Sequence, residues 1–282
     1  MSPQALLLCS DLDRTLLPNG TDEESPAARD WFQRLAALPE VMLVYATGRD
    51  QLLTRKAIHD YELPMPQFVL GDVGSTIYAC APKRWQPWPD WEQHIAPDWA
   101  GYTQAQLAAL LENIPALRLQ EPSKQNTHKL SYYVNLDVNH VQLQTTVHQR
   151  LRLQGIKANL IWSEDNLTGE GLLDILPARA NKYRALQFLL TQLNFALDQA
   201  VFAGDSGNDL PIFASAIPSI VVGNASASIK VEAMQLAALN HTEAALYIAE
   251  GGFKGMNGHY AAGILEGVMH YHPSLLAKLE DA

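Results

Sequence analysis

The sequence predicts an α/β fold interrupted by a compact α+β insertion, and three observations carry that expectation. Apolar runs at 7–10, 41–46 and 200–204 each close on polar or acidic residues. Segments of helical period follow them, the alternation that builds open, doubly covered sheets. Between residues 82 and 99 the composition turns to proline and tryptophan, through Pro82, Trp85, Pro87, Trp88, Pro89, Trp91, Pro97 and Trp99. Beyond that stretch the order of elements changes, so it reads as the crossing into an inserted unit.

The first strand delivers Asp11 and Asp13 to its end. Strand side chains alternate faces, so residues two apart point the same way. The carboxyl end of a buried strand is also where open α/β sheets hold their ligands. One carboxylate there can attack an electrophile while the other moves a proton or helps hold a divalent cation. A plain Asx turn uses the same residue types, so the pair by itself leaves both readings open.

A helix is expected over 25–38, with Ser25 as N-cap before Pro26. The next strand ends in Thr47, Gly48 and Arg49: a hydroxyl donor, a residue that lets backbone approach closely, and a guanidinium. A second helix runs to about residue 61. Residues 68–78 read as strand, glycine turn and strand, with Gly71, Gly74 and Ser75 beside the cleft mouth. The insertion is expected as a helix over 103–113, a strand over 129–136, a helix over 139–154, and strands over 156–163 and 172–176. Lys182 then falls in the first turn of a helix, near the positive end of its dipole and suited to an anion.

Asp205 and Asp209 close the strand at 200–204. A strand over 219–222, an amphipathic run over 225–235 and a loop follow. The glycine-rich segment 250–260 reads either as a lid or as a plain surface loop, ahead of a last helix over 261–270. The core is expected over 1–84 and 175–282, and the cap over 85–174.

Taken in order, D-x-D, T-G, the lysine and G-D-x-x-x-D resemble the haloacid dehalogenase superfamily of aspartyl phosphohydrolases. The resemblance covers both core segments. It implies a Rossmann-like parallel-sheet core with an inserted α+β cap domain, and a Mg²⁺-dependent phosphatase. Carried onto this chain, Asp11 would be the nucleophile, and Asp13 the acid that protonates the leaving oxygen and then the base that activates water. Thr47 and Lys182 would bind the phosphoryl group. Asp11 and Asp205 would ligate Mg²⁺ together with the backbone carbonyl of Asp13, and Asp209 would support the metal.

The A-T-G-R segment, V-G-S-T-I-Y at 73–78, H-K-L-S-Y-Y at 128–133 and H-Y-A-A-G-I-L-E-G at 259–267 look like sucrose-phosphate phosphatases. That group, with related mannosylfructose-phosphate phosphatases, removes phosphate from a phosphorylated disaccharide. By position, Gly48, Arg49, Gly74, Ser75, Lys129, Ser131 and Asn208 would face the sugar. Thr76 stands where the group often carries an acidic residue, and the segment 252–258 is longer than expected. Phosphatases of mannosylfructose phosphate, mannosyl-3-phosphoglycerate, trehalose phosphate or hexose phosphate are the alternatives. A non-catalytic sugar-phosphate sensor would show loss of Asp11, Asp13, Lys182 or Asp205, and all four are present.

The composition does not prevent binding of a small phosphorylated molecule, the partner expected here. With 282 residues, 48% apolar and 18% charged, the chain supports a large core plus a second unit. A net charge of −10 disfavours nucleic acid and anionic membrane, which reward clustered Lys and Arg. Cys9 and Cys80 read as small buried hydrophobes in a reduced, cytoplasmic setting. The N-terminal apolar run is too short for a signal peptide, and the oligomeric state is left open by the sequence.

Overall fold

Leu6–Asp11 forms β1, buried along its whole length, and such a strand must be covered on both faces. The computed structural model describes residues 6–82, 84–165 and 169–281. The chain continues through α1 (Ala28–Ala37), β2 (Val41–Ala46), α2 (Gln51–Asp60), β3 (Phe68–Gly71), β4 (Thr76–Cys80), β5 (Trp85–Pro87) and α3 (Pro89–Ile95). The inserted unit comprises α4 (Gln104–Leu111), β6 (Arg118–Leu119), β7 (Leu130–Asn135), α5 (His140–Arg152), β8 (Ala158–Asp165) and β9 (Glu170–Pro177). The chain returns as α6 (Lys182–Leu193), β10 (Ala200–Gly204), α7 (Leu210–Phe213), β11 (Ser219–Val221), α8 (Ala227–Asn240), β12 (Leu246–Ile248), α9 (Ala261–Tyr271) and α10 (Leu275–Asp281).

The core sheet has the order β12-β11-β10-β1-β2-β3-β4-β5. Its first six strands are parallel, and β4 and β5 add an antiparallel hairpin edge. From β1 the chain winds outward through β2 and β3, then returns to the other side of β1 through β10 and β11. The reversal between β1 and β10 is a topological switch point, where loops diverge and leave a crevice. Alternation along β1 divides the two layers. Leu6 and Leu8 pack toward α1, α9 and α10, while Leu7 and Cys9 pack toward α6 and α7.

The cap is a four-stranded antiparallel sheet, β6-β7-β9-β8. Leu130, Tyr132, Val134, Leu173 and Ile175 face α4 and α5, meeting Leu107, Leu111, Leu143, Val147 and Leu151. Residues of the opposite parity on β7 and β9 face the core. Where the chain enters and leaves the cap, Asp98 accepts hydrogen bonds from the Arg179 backbone N–H at 2.8 Å and from its guanidinium at 2.9 Å.

Several expectations shift. Helix α1 starts three residues after Ser25, because the Ser25 hydroxyl is engaged by Asn257 instead of capping. The stretch read as a loop after α8 contains β12, and α10 closes the chain beyond the last expected helix. The crossing into the cap lies beyond residue 84. Trp85–Pro87 pairs with β4 in the core sheet, and Trp91 and Ile95 of α3 are buried in the core layer. The physical reason is the apolar area of the tryptophans, which is buried against the core before the chain can turn away. Cys9 is buried and Cys80 half-buried, both as free thiols. Among the described residues no helix is long and apolar enough to cross a membrane.

Trp91 is fully buried, packs on Phe188 of α6 at 5.1 Å between ring centroids, and donates from Nε1 to the Gly74 carbonyl at 3.2 Å. Trp91→Ala is expected to lower the unfolding free energy by about 3–5 kcal/mol, read as an earlier urea midpoint. A loss below about 1 kcal/mol would mean that the ring does not brace this layer.

Candidate active site

Asp11 is the last residue of β1 and pairs in register with Ala46, so Thr47 follows directly beside it at the end of β2. Asp205 follows β10 on the other side. Parallel strands of matched register therefore present these three side chains at one rim. Lys182 is the first residue of α6, after an Asn181 N-cap whose side chain accepts from the Arg184 N–H. Its Nζ lies 2.9 Å from Asp11 Oδ1 and 2.8 Å from Asp209 Oδ1, and it is 1% exposed. Asp209 is itself fixed from behind, since its Oδ2 accepts the N–H groups of Asp205 and Ser206 at 3.2 Å each. Thr15 donates to Asp205 Oδ1 at 3.0 Å.

Asp11, Asp205 and Asp209 offer carboxylate oxygens that all lie within 4.8 Å of one another. Burial pushes Asp11 well above the usual carboxylate range, although Lys182 opposes it, and Asp209 and Asp205 push the same way. Asp205 is raised to about 6, first by burial and then by the charge of Asp209. Lys182 shows the converse. Burial would lower it, but Asp11 and Asp209 outweigh that and hold it charged. The buried Lys182 ammonium and the half-exposed Arg14 guanidinium, 3.6 Å from Asp205 Oδ2, face three carboxylates in this nest. That donor set is all oxygen and fits a hard divalent cation such as Mg²⁺.

Asp13 stands at the mouth. Burial raises its carboxyl, but the hydrogen bond and charge of Arg49 outweigh burial and hold it below the ordinary range. Arg49 binds it with both ends of the guanidinium, Nε to Oδ2 at 2.9 Å and Nη2 to Oδ1 at 2.5 Å. Asn19 Nδ2 adds a bond to Oδ1 at 2.7 Å. Outward from this group opens a cleft of about 480 Å³. Its core wall includes Asp13, Gly48, Arg49, Val73 and Asn208, and its roof includes Lys129, Tyr133, Ile161, Ser163 and Asp174 from the cap strands.

Of the residues expected to face a sugar, Gly48, Arg49, Lys129 and Asn208 therefore line the cleft. Gly74 and Ser75 lie behind it. A Cβ on Gly74, at φ 90°, would come within 2.4 Å of the Asn181 carbonyl carbon and 2.6 Å of the Lys182 nitrogen. Only glycine lets this turn press against the start of α6, and its neighbours Asp72 (φ 52°) and Val73 (φ 60°) share the left-handed backbone. Ser75 is buried and bonds to the Asp72 carbonyl and to Asn126. Ser131 is also buried, with its hydroxyl given to Asp174 Oδ1 at 2.5 Å. None of the tryptophans between 85 and 99 lines the cleft, and neither does the segment 250–260.

The family model described as sucrose-6F-phosphate phosphohydrolase matches residues 4–272. The chain belongs to that family. It is 50% identical to a putative HAD-like hydrolase of Nitrosococcus oceani over 98% of this chain and 74% of that protein. It is 30% identical to the mannosylfructose-phosphate phosphatase of Agrobacterium fabrum, over 78% of this chain and 83% of that protein. Among solved structures, the sucrose-phosphatase of Synechocystis sp. PCC6803, in complex with sucrose and phosphate, superposes with a TM-score of 0.74. That match has 27% identity and covers 94% of this chain and 97% of the other. The chain is a sugar-phosphate phosphatase of the haloacid dehalogenase superfamily.

The geometry adds three groups that motif reading did not single out as site residues. Asn19 touches Asp13, Val73 narrows the cleft, and Asp174 shares a hydrogen bond with Ser131 and lies 3.7 Å from Lys129 Nζ. Strand alternation held a signal for Asp174. It sits between the inward Leu173 and Ile175, so it shares a face with the roof of the cleft.

The acidic nest predicts a metal-linked stability. Asp205 binds its proton more tightly folded than unfolded, so its contribution to metal-free stability falls as pH rises from the ordinary carboxylate range through about 6. In chelator at pH 8, Asp205→Asn is therefore expected to melt above the wild type. Added Mg²⁺ should raise the wild-type melting temperature and leave the variant almost unmoved. Equal Mg²⁺ shifts in both proteins would place the cation elsewhere.

Proposed function

We propose that this phosphatase hydrolyses a phosphorylated disaccharide, foremost sucrose-6-phosphate, through an aspartyl-phosphate on Asp11. The observation that carries the reading is the buried Asp11–Lys182–Asp209 contact, with Asp205 beside it, at the floor of a cleft roofed by polar cap residues. Asp11 attacks phosphorus through a carboxylate oxygen, and the bond from phosphorus to the sugar oxygen breaks. Asp13 gives its proton to that departing oxygen, then takes one from the water that attacks phosphorus and frees Asp11. Thr47 and the Lys182 ammonium hold the phosphoryl oxygens. Asp11, Asp205 and the Asp13 carbonyl would hold Mg²⁺, with Asp209 in support, and the cation would neutralise charge on nucleophile and phosphoryl group alike.

The Arg49 clamp bears on the first step. A carboxyl bound by a guanidinium stays ionised, whereas a proton donor must be neutral. Sugar hydroxyls entering beside Gly48 and Asn208 give Arg49 other acceptors, and release of Asp13 lets it take up the proton that it will donate. Around the sugar, Lys129, Tyr133, Ser163 and Asp174 supply donors and acceptors of the mixed kind that hydroxyl-rich ligands require, since each unpaired buried group costs about 1–3 kcal/mol. Thr76 lies in the turn behind the cleft and faces Asn126 at 3.4 Å. It is not among the residues that line the cleft.

The similarity to a mannosylfructose-phosphate phosphatase supports that second disaccharide as the alternative substrate. Phosphate release with Mg²⁺ from sucrose-6-phosphate, mannosylfructose phosphate, trehalose-6-phosphate, mannosyl-3-phosphoglycerate and glucose-6-phosphate separates the two. The expected outcome is a kcat/KM for sucrose-6-phosphate at least about a hundredfold above the others; a flat profile would sink the disaccharide assignment. For the nucleophile, Asp11→Asn should lose at least about four orders of magnitude in kcat, and acid-quenched wild type should yield a phosphopeptide containing Asp11. Near-normal turnover of the variant would remove Asp11 from that role.

A further inference from the structure

Residue Arg14 follows Asp13 and has a left-handed backbone, φ 61°. Its two main-chain polar groups are both taken by asparagine side chains. The Arg14 N–H donates to Asn19 Oδ1 at 2.8 Å, and the Arg14 carbonyl accepts from Asn224 Nδ2 at 2.6 Å. The other ends of the two amides are also committed. Asn19 Nδ2 donates to Asp13 Oδ1 at 2.7 Å, and Asn224 Oδ1 accepts the Tyr260 N–H at 2.9 Å. Tyr260 is fully buried with φ 52°, and its hydroxyl donates to the Asp22 carbonyl at 3.3 Å.

The glycine-rich segment before Tyr260 completes the brace. Asn257 Nδ2 donates to the Glu23 carbonyl at 2.8 Å and its N–H to Ser25 Oγ at 3.0 Å. Glu266, on the first turns of α9, accepts the N–H groups of Glu250 and Gly251 at 3.0 and 2.9 Å. A segment far along the chain is thus tied at several points to the loop that leaves the catalytic strand. A free surface loop has no use for an array of this kind.

We propose that Asn224 and Asn19 are positioning residues for the proton transfer to the leaving sugar oxygen, holding Arg14 at both its N–H and its carbonyl so that the Asp13 carboxyl is aimed at the cleft. The inference rests on the reading of Asp13 as the proton donor. It assigns the C-terminal glycine-rich segment the task of anchoring that donor through Tyr260 and Asn224. Asn224 and Asn19 do not themselves touch the carboxylates of the floor, and the Arg14 guanidinium that reaches Asp205 Oδ2 at 3.6 Å is half exposed, so their loss should spare phosphoryl binding, which the aryl ester reads.

The leaving group separates this role from a merely structural one. A sugar alkoxide cannot depart without a proton, whereas p-nitrophenolate leaves unaided. Wild type, Asn224→Ala, Asn224→Asp, Asn19→Ala and Asp13→Asn would be assayed on sucrose-6-phosphate and on p-nitrophenyl phosphate, with folding followed by circular dichroism. In a single turnover with enzyme in excess, which reads leaving-group release before Asp13 is needed as the base for the second step, the expected result is a loss of about 10- to 100-fold on the sugar ester, with p-nitrophenolate release changed less than about threefold. Asn224→Asp should behave like the alanine variant, because it keeps the acceptor for Tyr260 but loses the donor to Arg14. Asn19→Ala, at an exposed position, keeps the test open if Asn224 variants do not fold. Equal losses on both esters, or none on either, would overturn the inference. If Asp13→Asn also lacks the ester preference, the donor reading itself falls. If Asp13→Asn shows the preference and the asparagine variants do not, only the positioning role fails.

Discussion

The Lys182 ammonium, buried between Asp11 and Asp209, is the contact on which the rest of the site depends. An isolated charge at that depth is strongly unfavourable, and either carboxylate without its partner would be equally so. Held together, they join three separate elements at one point: the end of β1, the start of α6 and the loop after β10. Much of the neighbouring backbone serves this junction. The left-handed turn at Asp72–Gly74 lets α6 approach, Trp91 seals the turn from outside, and Asn181 caps the helix so that its first residue points inward.

Two layers of the molecule divide the work. The core supplies the buried charges, from the end of β1, the start of α6 and the loop after β10. The cap supplies the roof. Its helices bury one face of a four-stranded sheet, and the free face carries the alternate residues Lys129, Tyr133 and Asp174 over the cleft. The Arg179–Asp98 contact ties the two connecting segments together at their base, so roof and floor meet at a fixed point. Asp13 and Arg49 line the cleft at the boundary between the layers.

Charge balance explains why so many acidic groups tolerate one another. Asp11 and Asp205 are both pushed upward by burial and by the charge of Asp209, while Asp13, only a turn away, is held down by a guanidinium. The same residue type thus has opposite proton affinities on the two sides of the mouth. In the proposed mechanism a divalent ion would relieve the first environment, and departure of the arginine would relieve the second.

Asp11, Asp13, Thr47, Lys182, Asp205 and Asp209 were legible from the sequence because each sits at the end or start of a regular element. Apolar runs and helix starts fix where such ends fall, and parallel register then gathers them. The cap helices and β7, β8 and β9 were legible from their periods, whereas the two-residue β6 was not. The start of the cap was not, because tryptophan and proline mark a junction without saying which side buries the rings. Gly74, Ser75 and Ser131 looked equally suited to a ligand, but their hydrogen bonds and close contacts point into the protein. Asn19 and Asn224 were invisible, since their partners lie on a strained loop and, for Asn224, 210 residues away. Local pattern determines which backbone ends carry chemistry. Which polar side chains face the ligand, and which hold the catalytic ones in place, is decided only by long-range packing and hydrogen bonding.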